Sequence, residues 1–376
     1  MTSRRFDSRW LAVVHVLGVI GLGGLTSGCH KDEPQVSSAP KASAAATASA
    51  RPQVADSDLA EAVAKAAEDM EDPEGAQGSA NGPPPNGVLG AVRAQREAVL
   101  GAAPKLTLAT NGSEPRVSLL TTAAANAQAG QIELAVRTGA RSALPTVVLR
   151  LEGEQPKAAA KGAAVENADA TPKEVRWDVA ASELGRSQPG QIPPDTAKLI
   201  GKLKGSVLVT PVYGDLPMGS THFERSKAAP DDLDLVLTTA SDALTSAFSA
   251  LPREPVGQGA TWLVSSRETF LGTDVVAYRM FKVEKVGSDG VIVNVDTKRY
   301  AAGGSLGLPG LVDNEVLQFS GTDEGQFRLV PGQRLPVEGQ LMMRLGAIVS
   351  HDENQTPVQI ETRALFGFPA VTAASK

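Results

Sequence analysis

The chain contains few of the residues from which catalytic and metal sites are usually built. Its 376 residues include one cysteine, four histidines and three tryptophans, and aromatic residues make up only 4% of the sequence. One cysteine excludes an intrachain disulfide framework and any zinc or redox site made of several cysteines. Because aromatic side chains are scarce, the core has to be packed mainly from Val, Leu, Ile and Ala.

Recognisable catalytic motifs are also absent. The sequence has no nucleophile elbow, in which a G-x-S-x-G segment turns a strand into a helix, no phosphate-binding loop and no dinucleotide-binding glycine fingerprint that opens a helix. His222, which lies two residues before Glu224, and His351 have no second histidine at a metal-binding spacing. We therefore interpret both histidines as solvated surface residues. We expect no catalytic residue and no cofactor, and predict that the protein is not an enzyme.

Three acidic residues, Asp231, Asp232 and Asp234, stand close together and could bind calcium. They follow Pro230 at the start of a predicted helix, where acidic side chains complement the exposed backbone N–H groups. That position accounts for them without a cation, and we expect no metal site.

The N-terminus has the layout of an export signal. Three arginines within the first nine residues precede an apolar run over residues 10–25, as in the basic and apolar regions of a secretory signal. At about 16 residues the run is short for a membrane-spanning helix, which needs about 20. It ends in the sequence LTSGC, with the cysteine at Cys29, and this ending resembles a bacterial lipobox.

The lipobox resemblance implies a lipoprotein signal peptide over residues 1–28 and a mature chain that begins at Cys29. In lipoproteins the cysteine thiol carries a diacylglyceryl group, and acyl chains such as palmitate anchor the protein to a membrane. The alternatives are an ordinary signal peptide with an incidental cysteine, and an uncleaved anchor. His30 follows in place of the aspartate that retains some lipoproteins at the inner membrane, which favours the outer membrane of the cell envelope.

The remainder of the chain consists of two regions that differ in composition. Without residues 1–28, which carry three arginines and one aspartate, the net charge changes from −6 to about −8, and a negative surface disfavours nucleic acid as a partner. Residues 29–87 are rich in Ala, Ser, Pro and Gly, a composition that predicts a disordered tether. Residues 88–376 predict a β-rich domain, with possible halves at 88–190 and 191–376.

Apolar and polar residues alternate with a period of two through most of this domain, which predicts strands. Residues 132–136 and 291–297 are clear cases, and Val117 with Leu119 predicts a further short strand. The turn sequence at 287–290 separates two strands, and short turns indicate antiparallel pairing. We expect roughly ten strands.

One amphipathic helix is predicted at about 231–250. Apolar residues from Leu233 to Phe248 recur at spacings of three and four and form one stripe. A helix with one apolar stripe packs on one face of a sheet. We therefore predict a mainly β fold, in which an antiparallel meander is curved into a half-barrel that holds this helix. Two stacked small sheets are the alternative.

The segment 251–262, LPREPVGQGATW, joins the helix to the next strand. It resembles an uncharacterised family of bacterial secreted proteins and lipoproteins, in which a helix leads through the pattern LPxxPVGxGxxW into a β-meander. The resemblance covers residues 202–368 and implies the fold and the compartment, but no activity. Trp262 is expected to bury its ring at the start of a strand. The alternative is that it lines a ligand pocket, which makes it a weak candidate for ligand binding.

These features predict a membrane-anchored, non-enzymatic envelope lipoprotein. Its partners would be the membrane, through the N-terminal lipid, and an apolar ligand or lipid bound by the domain. The alternative is a structural or assembly protein that acts through contacts with other envelope proteins. A carrier needs an apolar cavity between sheet and helix, whereas an assembly protein needs a filled core with an exposed apolar patch or a free sheet edge.

Overall fold

The structure, a computed structural model, describes residues 83–120, 128–139, 142–153, 157–158, 173–186, 192–213, 216–217, 219–308, 311, 314–351 and 354–369. The predicted signal peptide, Cys29, His30 and the predicted tether as far as residue 82 lie outside the described residues. No helix within the described ranges is long and apolar enough to span a membrane.

The described residues form fifteen strands and three α-helices. The helices are α1 (Ala91–Glu97), α2 (Thr196–Gly201) and α3 (Asp234–Ala247), and a 3-10 turn at Asp231–Leu233 precedes α3. The strands are β1 (Lys105–Thr110), β2 (Ala129–Thr138), β3 (Ser142–Ala143), β4 (Val147–Gly153), β5 (Lys157–Ala158), β6 (Lys173–Leu184), β7 (Val207–Tyr213), β8 (Leu216–Pro217), β9 (His222–Glu224), β10 (Thr261–Phe270), β11 (Thr273–Gly287), β12 (Gly290–Ala301), β13 (Glu315–Leu329), β14 (Glu338–His351) and β15 (Asn354–Gly367).

All these strands belong to one antiparallel sheet. Twelve follow the order β1-β10-β11-β12-β13-β14-β15-β2-β4-β6-β7-β8, and β3, β5 and β9 pair with β2, β6 and β7. The strands before and after residue 190 therefore form one sheet and not two. Its end strands do not pair with each other within the described residues, so the sheet is open. The predicted mainly β fold, an antiparallel half-barrel with one helix packed on it, is confirmed.

The inner face of the sheet is the face that packs on α3. Every second residue of each strand points to it, because side chains alternate across a pleated strand. On β12, for example, Val291, Val293 and Val295 are buried in the main core while the residues between them are partly exposed. Burying one such side chain contributes about 1.5–3 kcal/mol, so the inner face is the main source of stability.

α3 packs on the sheet as predicted, and it is buried on nearly all sides rather than along its apolar stripe alone. Its polar residues Thr239, Asp242 and Ser246 are as inaccessible as its leucines. The reason is that segments far apart in the chain contact different positions of the helix. The N–H of Thr221, just before β9, donates to Thr245 Oγ1 at 2.9 Å, and Ser246 Oγ donates to Asp323 Oδ2 of β13 at 2.9 Å.

The segment 251–260, which connects α3 to β10, has a structural role. Val256 and Val117 form an isolated two-residue bridge, with N–H···O distances of 2.8 and 2.9 Å. The strand predicted at Val117 and Leu119 is therefore wrong, because Val117 forms only this isolated bridge and Leu119 is not part of a strand. A side chain at Gly257 would place its Cβ 1.7 Å from the carbonyl oxygen of Ser113, so only glycine permits this close approach.

Candidate functional site

Four charged residues meet on the inner face beneath α3. Glu268 of β10, Arg279 of β11, Arg299 of β12 and Asp323 of β13 come from consecutive strands, and we call them the inner ionic cluster. They occupy inward-pointing positions of the period-two pattern, where neighbouring positions hold valine and phenylalanine. Their side chains are at most 3% exposed, which is unusual for charged groups and requires pairing.

Each carboxylate in the cluster binds a guanidinium directly. Arg279 Nη2 donates to Glu268 Oε1 and Oε2 at 2.7 and 2.6 Å, and Arg299 Nε donates to Glu268 Oε1 at 2.8 Å. Arg299 also donates through Nη1 and Nη2 to the two oxygens of Asp323, the second at 2.7 Å. The Arg299 guanidinium lies 4.1 Å from the centre of the Phe270 ring, a cation–π distance.

Two residues of α3 extend this network to the helix. Ser246 Oγ donates to Asp323 Oδ2 at 2.9 Å and accepts from Arg299 Nη2 at 3.1 Å. Asp242 Oδ2 accepts the backbone N–H of Leu271 at 3.0 Å. Leu271 has a φ of 48°, a conformation that is strained for leucine. The helix therefore holds both the centre of the inner face and the turn between β10 and β11.

Burial and neighbouring charges act in opposite directions on the pKa values of Glu268, Arg299 and Asp242. Burial tends to raise the pKa of Glu268, but Arg279 and Arg299 outweigh it and hold this pKa below its usual value. Burial tends to lower the pKa of Arg299, but Asp323 and Glu268 outweigh it and raise this pKa. Burial raises the pKa of Asp242 to about 8, although the Leu271 N–H and Arg299 act to lower it.

The arrangement of the inner ionic cluster fits a structural role. A general base needs a free acceptor within reach of a substrate proton, whereas Glu268 and Asp323 are both bound by guanidinium groups and are inaccessible to solvent. Removing one partner of such a buried pair typically costs about 3–5 kcal/mol, because it leaves an uncompensated charge. The cluster therefore specifies how α3 sits in the half-barrel.

The histidines and aspartates considered from the sequence lie on the surface. His222 and Glu224 are both exposed on β9, and Glu224 accepts from Arg176 Nη1 at 3.0 Å. His351 is exposed at the end of β14. Arg225 bonds Asp231 and Asp234 at the start of the helical segment. The part of the chain that the structure describes contains no group of three or more His, Cys, Asp or Glu residues that could hold a metal ion.

Trp262 lies in the core at the start of β10 and is fully inaccessible. Its ring stacks on Phe281 of β11 with ring centres 5.0 Å apart and planes 10° apart. Its Nε1 makes no hydrogen bond to any described residue. The ring thus packs against the neighbouring strand at the place where the connecting segment enters the sheet.

A second feature lies on the opposite, outer face of the sheet. Ala94 of α1 is fully buried there in a small apolar cluster with Leu263 and Tyr278. Glu97 accepts a hydrogen bond from the Tyr278 hydroxyl, and Arg267 Nη1 donates to the Ala98 carbonyl at 3.4 Å. Burial and the neighbouring Glu97 raise the pKa of Tyr278. These contacts fix α1 and its following loop to the sheet.

Apolar side chains are exposed on the side of α1 that faces away from the sheet and in the segment that follows α1. Val92 is 71% exposed, Val99 52% and Leu100 63%, and these are the large apolar side chains that stand out as exposed among the described residues. Strand β1 follows five residues later and forms one end of the sheet. Leu263 links the two parts, since it contacts the α1 cluster and is the cross-strand partner of Thr107. We call this region the 92–110 surface.

Neither feature was identified from the sequence. The position of Arg299 could have been, because the alternation through Val291, Val293 and Val295 places it on the core side. The carboxylates that neutralise it come from other strands, and no local pattern indicates them. The exposure of Val99 and Leu100 depends on how α1 docks, which only the folded domain determines. The sequence matches no protein-family model, and a comparison with curated proteins gives no match either.

Proposed function

We propose that the protein is a lipid-anchored, non-enzymatic protein of the bacterial cell envelope that holds a partner protein through the 92–110 surface. One observation carries this proposal: among the described residues, the exposed large apolar side chains Val92, Val99 and Leu100 lie in one segment beside an end strand of the sheet. Exposed apolar residues next to a free sheet edge are typical of a protein interaction site.

The inner face gives less support to the carrier function. α3 and the inner ionic cluster occupy its centre, and Trp177 packs edge-on against Phe248 with ring centres 5.6 Å apart. A lipid-binding site would be lined mainly by apolar side chains with few polar groups. The anchoring part of the proposal rests on the lipobox resemblance at Cys29 alone.

Blue native electrophoresis of envelopes solubilised in mild detergent tests the proposed function. The wild-type chain should migrate in a complex larger than its monomer, and the variant Val99→Ser with Leu100→Ser should migrate as a monomer. The two positions are exposed, so the melting temperature of this variant should stay within about 2 °C of wild type. Ile292→Ser, which removes a half-buried apolar side chain from β12, is the control and should leave the complex intact.

Two results would contradict the proposal. The first is a wild-type chain that runs only as a monomer. The second comes from native mass spectrometry of the full chain: a co-purifying lipid that is lost on organic extraction would favour the carrier function instead. Loss of palmitate labelling in Cys29→Ser tests the anchor separately.

A further inference from the structure

Strand β1 offers an unused hydrogen-bonding edge. It pairs with β10 at Lys105–Leu108 and at Thr110, with a register shift between Leu108 and Thr110, and no other described strand pairs with it. The other end of the sheet is better protected, because the short strands β8 and β9 cover the two ends of β7. A six-residue edge with free backbone groups is a template for one more strand.

The exposed charged residues of the 92–110 surface are basic. Arg96 and Lys105 are exposed, and neither has an ion-pair partner among the described residues. Glu97, the acidic residue of α1, is engaged by Arg93 at 2.6 Å and by Tyr278. β1 itself, KLTLAT, contains no acidic residue. A local excess of positive charge in a chain of net charge −6 favours a partner that carries carboxylates.

A second copy of the chain fits this edge poorly. Twofold pairing of β1 about Thr107 would match Leu106 with Leu108, which is acceptable for the apolar side chains. It would also bring two copies of Arg96 and of Lys105 into one interface, with no carboxylate of β1 to compensate them. Like charges placed together oppose association.

A membrane surface also fits less well than a protein strand. Recognition of anionic lipids usually needs clusters of about four to eight lysine or arginine residues. The 92–110 surface has two cations without an ion-pair partner, Arg96 and Lys105, on a chain that is acidic overall. The free backbone edge, in addition, has no role at a lipid surface.

We propose that the partner binds by strand addition: an extended segment of a different protein, with acidic residues at its flank, pairs with the free edge of β1. Backbone hydrogen bonds to Lys105–Thr110 hold the segment, its carboxylates meet Arg96 and Lys105, and its apolar residues contact Val99 and Leu100. This inference rests on the proposed function and specifies the partner of the same surface.

Photocrosslinking of the full-length chain in its own membranes is the first test. Leu100 is replaced by p-benzoylphenylalanine, and the crosslinked peptides are sequenced by mass spectrometry. The expected product joins this chain to an acid-containing segment of another protein. In the purified, uncrosslinked complex, those amides of residues 105–110 that point away from β10 should then exchange with deuterium at least about tenfold more slowly than in the free protein.

Charge reversal tests the electrostatic part. Arg96→Glu with Lys105→Glu should lower the crosslinking yield at least about fivefold, because two exposed attractive pairs become repulsive. Lys202→Glu with Lys204→Glu changes the net charge by the same amount near the end of α2 and should leave the yield unchanged. This control separates a local effect from the effect of overall charge.

The other outcomes distinguish the inference from the proposed function. Crosslinks only to a second copy of the chain, unprotected β1 amides in a complex with another protein, or an unaffected yield after charge reversal would each overturn strand addition by an acidic segment, while protein contacts at this surface would remain. Crosslinks only to phospholipid, or none to protein, would overturn both.

Discussion

Replacing Arg299 with methionine should be among the most damaging single changes on the inner face. Arg299 is 1% exposed and neutralises two carboxylates at once, through Nε to Glu268 and through Nη1 and Nη2 to Asp323. Methionine fills much of the same volume but carries no charge. Glu268 would keep Arg279, whereas Asp323 would keep only the Ser246 hydroxyl. One negative charge would therefore be buried without compensation.

The expected loss of unfolding free energy for this variant is about 3–5 kcal/mol, the cost of breaking a buried ion pair from one side. For a large domain, each kcal/mol shifts the melting temperature by about 2–4 °C, so the decrease should be about 6–20 °C. Adding Asp323→Leu removes the uncompensated carboxylate and leaves Glu268 and Arg279, whose opposite charges cancel. The free energy of unfolding of the double variant should be at least about 1 kcal/mol higher than the sum of the two single substitutions predicts.

Urea unfolding followed by tryptophan fluorescence gives the free energies, and differential scanning calorimetry gives the melting temperatures. Arg344→Met is the matched control. Arg344 pairs with Glu324 at 3.0 Å and with Glu361 at 3.6 Å on the outer face, but its side chain is 48% exposed. Its loss should cost no more than about 1 kcal/mol. Equal losses in Arg299→Met and Arg344→Met would refute the structural role of the inner ionic cluster.

Three further changes test other parts of the molecule. Asp242→Asn should make stability less dependent on pH: the pKa of Asp242 is about 8 in the folded protein against an ordinary value of 3.8, so the contribution of the protonated carboxyl to stability falls as the pH rises from about 4 to 8. Urea unfolding at pH 5 and pH 8 should show the variant gaining relative to wild type at the higher pH. Gly257→Ala should destabilise the domain by at least about 2 kcal/mol, because its Cβ would overlap the Ser113 carbonyl; Gly201→Ala, where a Cβ meets nothing within 4 Å, is the control for calorimetry. Cys29→Ser should abolish incorporation of radiolabelled palmitate into the protein.

For each of these three predictions, a specific result would contradict it. Parallel pH profiles for wild type and Asp242→Asn would mean that the carboxyl titrates near its usual pKa. A Gly257→Ala variant as stable as Gly201→Ala would show that the connection between α3 and β10 can move aside. Palmitate labelling that persists in Cys29→Ser would remove the basis for the lipid anchor.

Most strands could be predicted from the sequence, because alternation is a local property. The strand predicted at 291–297 lies within β12, and the turn at 287–290 joins β11 to β12. Pro357 is a harder case, since proline is disfavoured inside a sheet. It lies within β15, opposite Ile348 of β14, and β2 pairs with β15 only from Ile360 onward. The proline is therefore on a stretch whose second side pairs with no described strand.

The order of the strands could not be predicted in the same way. β1 lies beside β10 and β2 lies beside β15, although more than 150 and 220 residues respectively separate these partners along the chain. Such pairings depend on which strand edges the meander from β10 to β15 leaves free. No sequence pattern within β1 or β2 indicates which strand it pairs with. The burial of polar residues on α3 was missed for the same reason, because their partners are on strands far away in sequence.

The sequence by itself determined the fold class, the position of the buried helix α3 and the scarcity of catalytic motifs, since each depends on local periodicity or on composition. Only the tertiary structure decided that the strands form one open sheet, that Glu268, Arg279, Arg299 and Asp323 neutralise one another beneath α3, and that Val99 and Leu100 remain exposed beside β1. Charge pairing and exposure are relations between distant segments. They are set only when the open sheet is curved around α3 and α1 is docked on its outer face.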